Sequence, residues 1–351
     1  MFSLIDFNPK AASESLLSAI YFAGFIVQPD HPDEILTYMK SYAICSIKKM
    51  QYAVNLSSVQ ALAIYCYAFT LSGNASLARI CLSHFGRMSQ CLGISINRKN
   101  LSDLEKYNRD LVYNFMRLYY NWAKLGSSKY TILSEEEEAD LDVYDPKYQL
   151  QNSSLSFVNS DNERILYSVF SCQLFKLVSL ISYIFGNFSK YDSIQIKMKI
   201  ESLNTKAIQT YESAKYALES LLTSIPECKN EILVYLELIK APYLPCILCI
   251  NSKMLQISNN NNRSIEIIIN SSFDLLGVFS SYPYALNLWR WVPDIIAFYL
   301  IQIYPHCNRK QRKTVISILN SIMDLYYNNS FDFNSMNYLI LKSQFYLINS
   351  P

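Results

Sequence analysis

The stretch LSSVQALAIYCYAFTLSGNASLARICLSHFGRMSQCLGISI, residues 56–96, decides how this chain must fold. Ser57 and Ser58 are helix-starting residues, because a serine hydroxyl can accept from backbone N–H groups that a helix N-terminus leaves unpaired. Val59, Leu62, Ala63, Cys66 and Phe69 then recur at helical spacing. Ala61, Ile64, Tyr65 and Tyr67 fill the remaining faces, so this helix is expected to be covered nearly all round. Leu71-Ser72-Gly73-Asn74 ends it, since Gly and Asn tolerate the left-handed backbone of a tight connection. A second helix is predicted from about Ser76 to Leu92. Its core face is Leu77, Ile80, Cys81, Phe85 and Met88, with Arg79, Ser83, Arg87 and Gln90 opposite. Gly93 stands where a left-handed residue would stop it.

Outward from this pair the pattern stays helical. Ser102-Asp103-Leu104-Glu105 is a capping box, in which Ser and Glu each satisfy the other's free N–H. The helix it opens carries Leu104, Leu111, Phe115, Leu118, Trp122 and Leu125, with Gly126 as its stop. After a polar loop at about 145–161, apolar stripes continue over 162–348, interrupted by an Asn-rich connector at about 256–264. Only 7 Gly and 11 Pro occur in 351 residues that are 51% hydrophobic, which predicts long helices and short connections. Hairpin signals such as Asn-Gly between alternating runs are missing. No fixed-period repeat marks a solenoid. The expectation is one all-α domain over 1–351, a compact multi-helix bundle with orthogonal packing.

The order of motifs over about 13–146 resembles the middle homology region of fungal zinc-cluster transcription factors. That family carries "tvQaLlLl" on one helix and "G-x-A-x-R-M-A-x-x-L-G-L" on the next. The counterparts are Val59-Gln60-Ala61-Leu62, Gly86-Arg87-Met88 and Cys91-Leu92-Gly93-Ile94. The family's "E-x-R-R-R-x-W-W" helix is matched by Glu105, Arg109, Tyr113 and Phe115, with the basic cluster reduced to Arg109 and the tryptophans replaced. The Gly-Arg-Pro of the next segment is absent around Ser127-Ser128-Lys129-Tyr130. The closing acidic-then-proline element is kept, as Glu135 to Glu138, Asp140, Asp142 and Pro146. The resemblance implies a regulatory region controlling DNA-templated transcription in the nucleus, without catalysis. Its partners would be transcription machinery or regulatory proteins, and a small-molecule effector is allowed. DNA contact would come from an N-terminal module of six closely spaced cysteines, which this sequence does not contain, and zinc would belong only to such an upstream cluster. The alternative is a helical protein–protein interaction scaffold unrelated to transcription.

The residues themselves offer little else. Net charge is +2, from 31 basic and 29 acidic side chains, so there is no global basic excess of the kind that holds DNA phosphates. Arg309, Lys310, Arg312 and Lys313 form the strongest basic cluster and read as the solvated first turn of a helix. Nine cysteines lie mostly inside apolar helical patterns, where a thiol behaves as a small hydrophobe. Cys246 and Cys249 make a lone C-x-x-C, and a structural zinc site needs four ligands. His31, His84 and His306 stand in no nucleophile or metal spacing, and no Gly-rich phosphate loop occurs, so no catalytic, cofactor or metal residue is assigned. Four adjacent glutamates, Glu135 to Glu138, read as a solvated loop, because a dry pocket would penalise their charges heavily.

Leu16 to Val27 is apolar enough for a signal-peptide core, but Asp6 and Glu14 precede it. Longer apolar stretches are interrupted by Lys176, by Glu237 and Lys240, and by Arg290 and Asp294, so no membrane is expected. Among the 28 Tyr, 18 Phe and 3 Trp, the segment Tyr282 to Trp291 gathers Tyr282, Tyr284, Trp289 and Arg290 as a candidate binding rim.

Overall fold

The structure, a computed structural model, describes residues 7–28, 32–72, 74–94, 100–102, 104–113, 115, 161–190, 193–257, 262–289, 292–328, 342–343, 345–346 and 348. Among these, 88% are helical and none lies in a strand, so the fold is all-α. The described residues group into two compact units, one of 7–115 with 161–164 and one from Ile165 onward.

The first unit is built on α1 (Glu14–Ile26), α2 (Asp33–Met50), α3 (Leu56–Leu71), α4 (Ala75–Leu92) and α5 (104–113). Helix α3 lies at its centre and is buried on every face from Ser58 to Cys66. That follows from its composition, because a helix apolar all round can be stable only inside a core. Helix α1 turns Leu16, Ala19, Phe22 and Ile26 inward. The Phe22 ring meets Phe69 at 5.1 Å and Tyr65 at 5.8 Å, both tilted. Each such ring removed from water contributes about 2–3 kcal/mol. The Tyr65 hydroxyl shares a 2.6 Å hydrogen bond with Ser18, so the phenol is paired inside the core.

Caps set the helix boundaries. Asn55 Oδ1 accepts from Ser58 N at 2.9 Å and Asn74 Oδ1 from Leu77 N at 3.1 Å. The expected start at Ser57 or Ser58 is therefore corrected to Asn55, whose extended backbone places its amide one turn ahead of the helix. Helix α4 ends as predicted at Gly93, at φ 56° and ψ 51°. The capping box also forms: Glu105 N donates to Ser102 Oγ at 3.3 Å and Ser102 N to Glu105 Oε2 at 3.0 Å.

Two face assignments change. Ile80, expected in the core, is 46% exposed, since the inward face of α4 runs through Ala78, Cys81, Leu82, Phe85 and Met88. On α5 the buried residues are Tyr107, Arg109 and Val112, while Leu104 is exposed. Leu118, Trp122, Leu125 and the acidic-then-proline element lie outside the described residues.

The second unit contains α6 (Asp161–Lys190, from Ile165), α7 (Ser193–Glu219), α8 (Leu221–Ser224), α9 (Lys229–Leu238), α10 (Lys240–Ile257), α11 (Asn262–Ser281), α12 (Ala285–Trp289), α13 (Val292–Ile303) and α14 (Arg309–Asn328). Here α10 is the central helix, packed by α7, α9, α11 and α13. Its Cys246, Leu248, Cys249 and Ile250 are buried. Two prolines lie within α10 without ending it. Pro242 falls in the first turn, where the missing N–H has no helical partner to lose, and Pro245 is carried inside the helix. The Asn-rich connector is also shorter than expected, because α10 reaches Ile257 and α11 begins at Asn262. The basic cluster opens α14 behind a reciprocal cap, Asn308 N to Gln311 Oε1 and Gln311 N to Asn308 Oδ1, both 2.9 Å. Arg309, Lys310, Arg312 and Lys313 are exposed.

Candidate functional site

The rim segment forms the corner between α11 and α12. Tyr282 N still donates to Val278 O at 2.9 Å, and Ala285 N then donates to Tyr282 O at 2.9 Å. This turn around Pro283 throws the rings of Tyr282 and Tyr284 together edge to face, with centroids 6.1 Å apart. Tyr284 is 53% exposed and Tyr282 half-buried. Trp289 is only 7% exposed and belongs to the core of the second unit. Arg290 lies outside the described residues.

Folding adds residues to this corner that the sequence keeps far away. Phe170 of α6 and Tyr235 of α9 stack nearly parallel, centroids 3.9 Å apart. Burial raises the pKa of the Tyr235 phenol, and Tyr167, Glu231 and Tyr284 raise it further. Those phenols therefore share one neighbourhood. Tyr167 is raised by burial, partly offset by a hydrogen bond with Ser171. Tyr284 is raised by burial and by Tyr282. Tyr167, Tyr235 and Tyr284, all raised, stay protonated at neutral pH, so the corner offers π faces and neutral hydroxyls. None of these three raised phenols is a general base, which would need a pKa near the working pH. Such a surface suits an apolar or aromatic group held by one or two hydrogen bonds. Phe170 and Tyr235 have no local signal marking them; both read as ordinary members of helical stripes.

In the first unit, a buried junction joins two of the motif elements. Arg109 is only 9% exposed, and its Nη2 donates to Leu92 O at 2.7 Å and to Gly93 O at 3.1 Å. These carbonyls end α4, where the helix dipole is negative and acceptors lack helical partners, so a buried cation is well placed. His84 is half-buried, with Nε2 3.3 Å from Gln51 Nε2. Its pKa is lowered by burial and then by Arg87, which itself donates to Gln51 O at 2.5 Å. This imidazole ties α4 to the residue following α2.

The C-x-x-C thiols are both buried. Burial raises Cys246 well above the ordinary thiol range. It pushes Cys249 up to about 12, partly offset by a hydrogen bond with Tyr299. Metal binding and thiol chemistry both run through the thiolate, so these two side chains act as core residues. Among the described residues, no group of three or more His, Cys, Asp or Glu is arranged to hold a metal ion.

Among the described residues, two stretches are long and apolar enough to cross a membrane, Ile165–Phe185 and Pro226–Ile257, with mean hydropathies of 1.6 and 1.7. The second is 61% buried and includes the 2.7 Å Glu237–Lys240 ion pair. A core helix of a globular protein meets the same test. Comparison of the chain with family models, with curated proteins and with solved structures finds no match.

Proposed function

We propose that this chain is the regulatory region of a fungal transcription factor, controlling DNA-templated transcription in the nucleus without catalysis. The observation that carries the reading is the Arg109 junction. Arg109 stands for the family's basic cluster, and Leu92-Gly93 for its "L-G-L" helix end. Two motifs recognised separately along the sequence thus meet through hydrogen bonds of 2.7 and 3.1 Å. The absence of a charge excess agrees with DNA contact being made by a zinc-cluster module rather than by these helices. The aromatic corner at Tyr282 and Tyr284 is then the place for a small-molecule effector, and transcription machinery or regulatory proteins are the macromolecular partners.

The test is to tether the chain to an unrelated DNA-binding domain and measure a reporter gene. A reporter shifted by the tethered chain, and returned toward background by Arg109→Ala, is the expected result. An unaltered reporter overturns the reading. Reading the native transcript upstream of Met1 is the companion measurement, with six closely spaced in-frame cysteines expected. The second reading, a helical interaction scaffold unrelated to transcription, is favoured by the exposed Tyr21, Tyr38 and Tyr52 of the first unit. It would take over if the reporter stayed unaltered.

A further inference from the structure

Along α6 the inward stripe runs through Leu166, Phe170, Leu177, Leu180, Ile181 and Ile184, all buried. Its steps of three and four residues pass through position 173, where one more apolar side chain is expected. Gln173 stands there instead. It is 8% exposed, and among the described residues its Oε1 has no hydrogen-bond partner. A buried carbonyl oxygen left unpaired costs stability, and native interiors keep few of them. Leucine would continue the stripe without that cost, so packing alone does not call for glutamine at this position.

Helical side chains lean back toward the helix N-terminus and cover the turn before their own Cα. Gln173 lies one turn past Phe170 on the same face, so its amide leans toward the Phe170 ring. That ring stacks on Tyr235 of α9, with centroids 3.9 Å apart and planes within 9°. Tyr235 is half-buried, and so is Tyr167, one turn before Phe170. Aromatic walls beside a single unmet polar group are what a small-molecule site needs: the walls hold the body and the polar group orients it. A carbonyl oxygen only accepts, so the ligand must bring the donor. Gln173 is neutral and sits in an apolar stripe, where a charged ligand would lose its hydration without a counter-charge. We infer that Gln173 and the Phe170–Tyr235 stack form a binding site for a flat, uncharged aromatic molecule whose N–H or O–H donates to Gln173 Oε1. This rests on reading the aromatic corner as an effector site, and does not depend on what the effector controls.

Indole and indene are the probes, because they match in size and only indole carries an N–H. Each is titrated into the full chain by calorimetry up to about 1 mM, a range within reach of ligands of about nine heavy atoms. Indole should bind about tenfold tighter than indene or better, since the hydrocarbon leaves the buried acceptor unmet. Gln173→Leu should erase that ratio by weakening indole, with helicity by circular dichroism unchanged. A ratio near one in the unaltered chain overturns the inference, while leaving the corner a site for apolar molecules. A ratio that survives Gln173→Leu overturns it too, because the N–H would then be read elsewhere. Binding of neither probe overturns both this inference and the effector site. Should the leucine variant lose helicity, Gln173→Met takes its place, and the ratio in the unaltered chain still decides. The reporter assay is independent, since its failure would remove transcription control and leave the binding ratio as measured.

Discussion

Arg109 is buried and its guanidinium donates to two carbonyls, so its removal strips a charged donor and leaves acceptors behind. Arg109→Met keeps much of the volume, and the expected loss is about 2–3 kcal/mol, read as a lower urea midpoint at unchanged slope. Gly93 tests the same junction from the other side. Its backbone lies in the left-handed region, at φ 56°, where an L side chain is strained. Gly93→Ala is expected to cost about 1–2 kcal/mol in the same measurement. The aromatic corner behaves differently. Tyr284→Ala should shift stability by no more than about 0.5 kcal/mol, because the ring is largely in water, whereas Tyr235→Ala removes a stacked, half-buried ring and should cost about 3 kcal/mol. If the two substitutions matched, the corner would be a packing feature and not a rim.

Among elements, the hairpin of α3 and α4 depends on its caps as well as on its core. Asn55 and Asn74 each satisfy one backbone donor, and each Asn→Ala change is expected to cost about 1 kcal/mol. Helix α3 spans 16 residues, roughly 24 Å at 1.5 Å per residue, so the caps at the starts of α3 and α4 are far apart. The double variant should equal the sum of the singles within about 0.5 kcal/mol. A larger departure would mean that the two helix ends are coupled through the core. Much of this level is legible in the sequence. The capping box at Ser102, the stop at Gly93 and the burial of α3 all follow from local chemistry. The start at Asn55 was missed because Asn, Ser57 and Ser58 are all competent caps, and only the backbone entry angle chooses between them. Pro242 sits in the first turn of α10, where a proline costs little, and the sequence does not mark where that start will be; Pro245 lies further in, and α10 carries it.

At the scale of the whole molecule, burial raises many weak acids together. Tyr211 and Tyr243 stack at 4.1 Å and are each pushed to about 12, by burial first and then by neighbouring negative groups. Cys249 is likewise pushed to about 12, and Tyr326, bonded to Asp294, is raised well above the phenol range. Each is higher in the folded chain than in the unfolded one, so the unfolded chain gives up its protons first. The stabilisation they contribute is complete below about pH 9 and is lost as pH climbs through the folded values near 12. Urea midpoints should therefore fall steeply with alkali, and the share of tyrosinate absorbance that comes from the buried phenols should rise with unfolding. A midpoint unchanged across that range would mean these phenols and thiols ionise without unfolding the chain.

The sequence by itself determined the helical class, the stops of α3 and α4 and the all-round burial of α3, because those depend on residues within a few turns of one another. Tertiary structure alone decided which apolar face met a neighbour, as Ile80 and Leu104 show. It alone stacked Phe170 on Tyr235, and brought Arg109 to Leu92 and Gly93. Those encounters depend on how helices cross, and crossing is set by side-chain packing summed over whole surfaces, which no local pattern encodes.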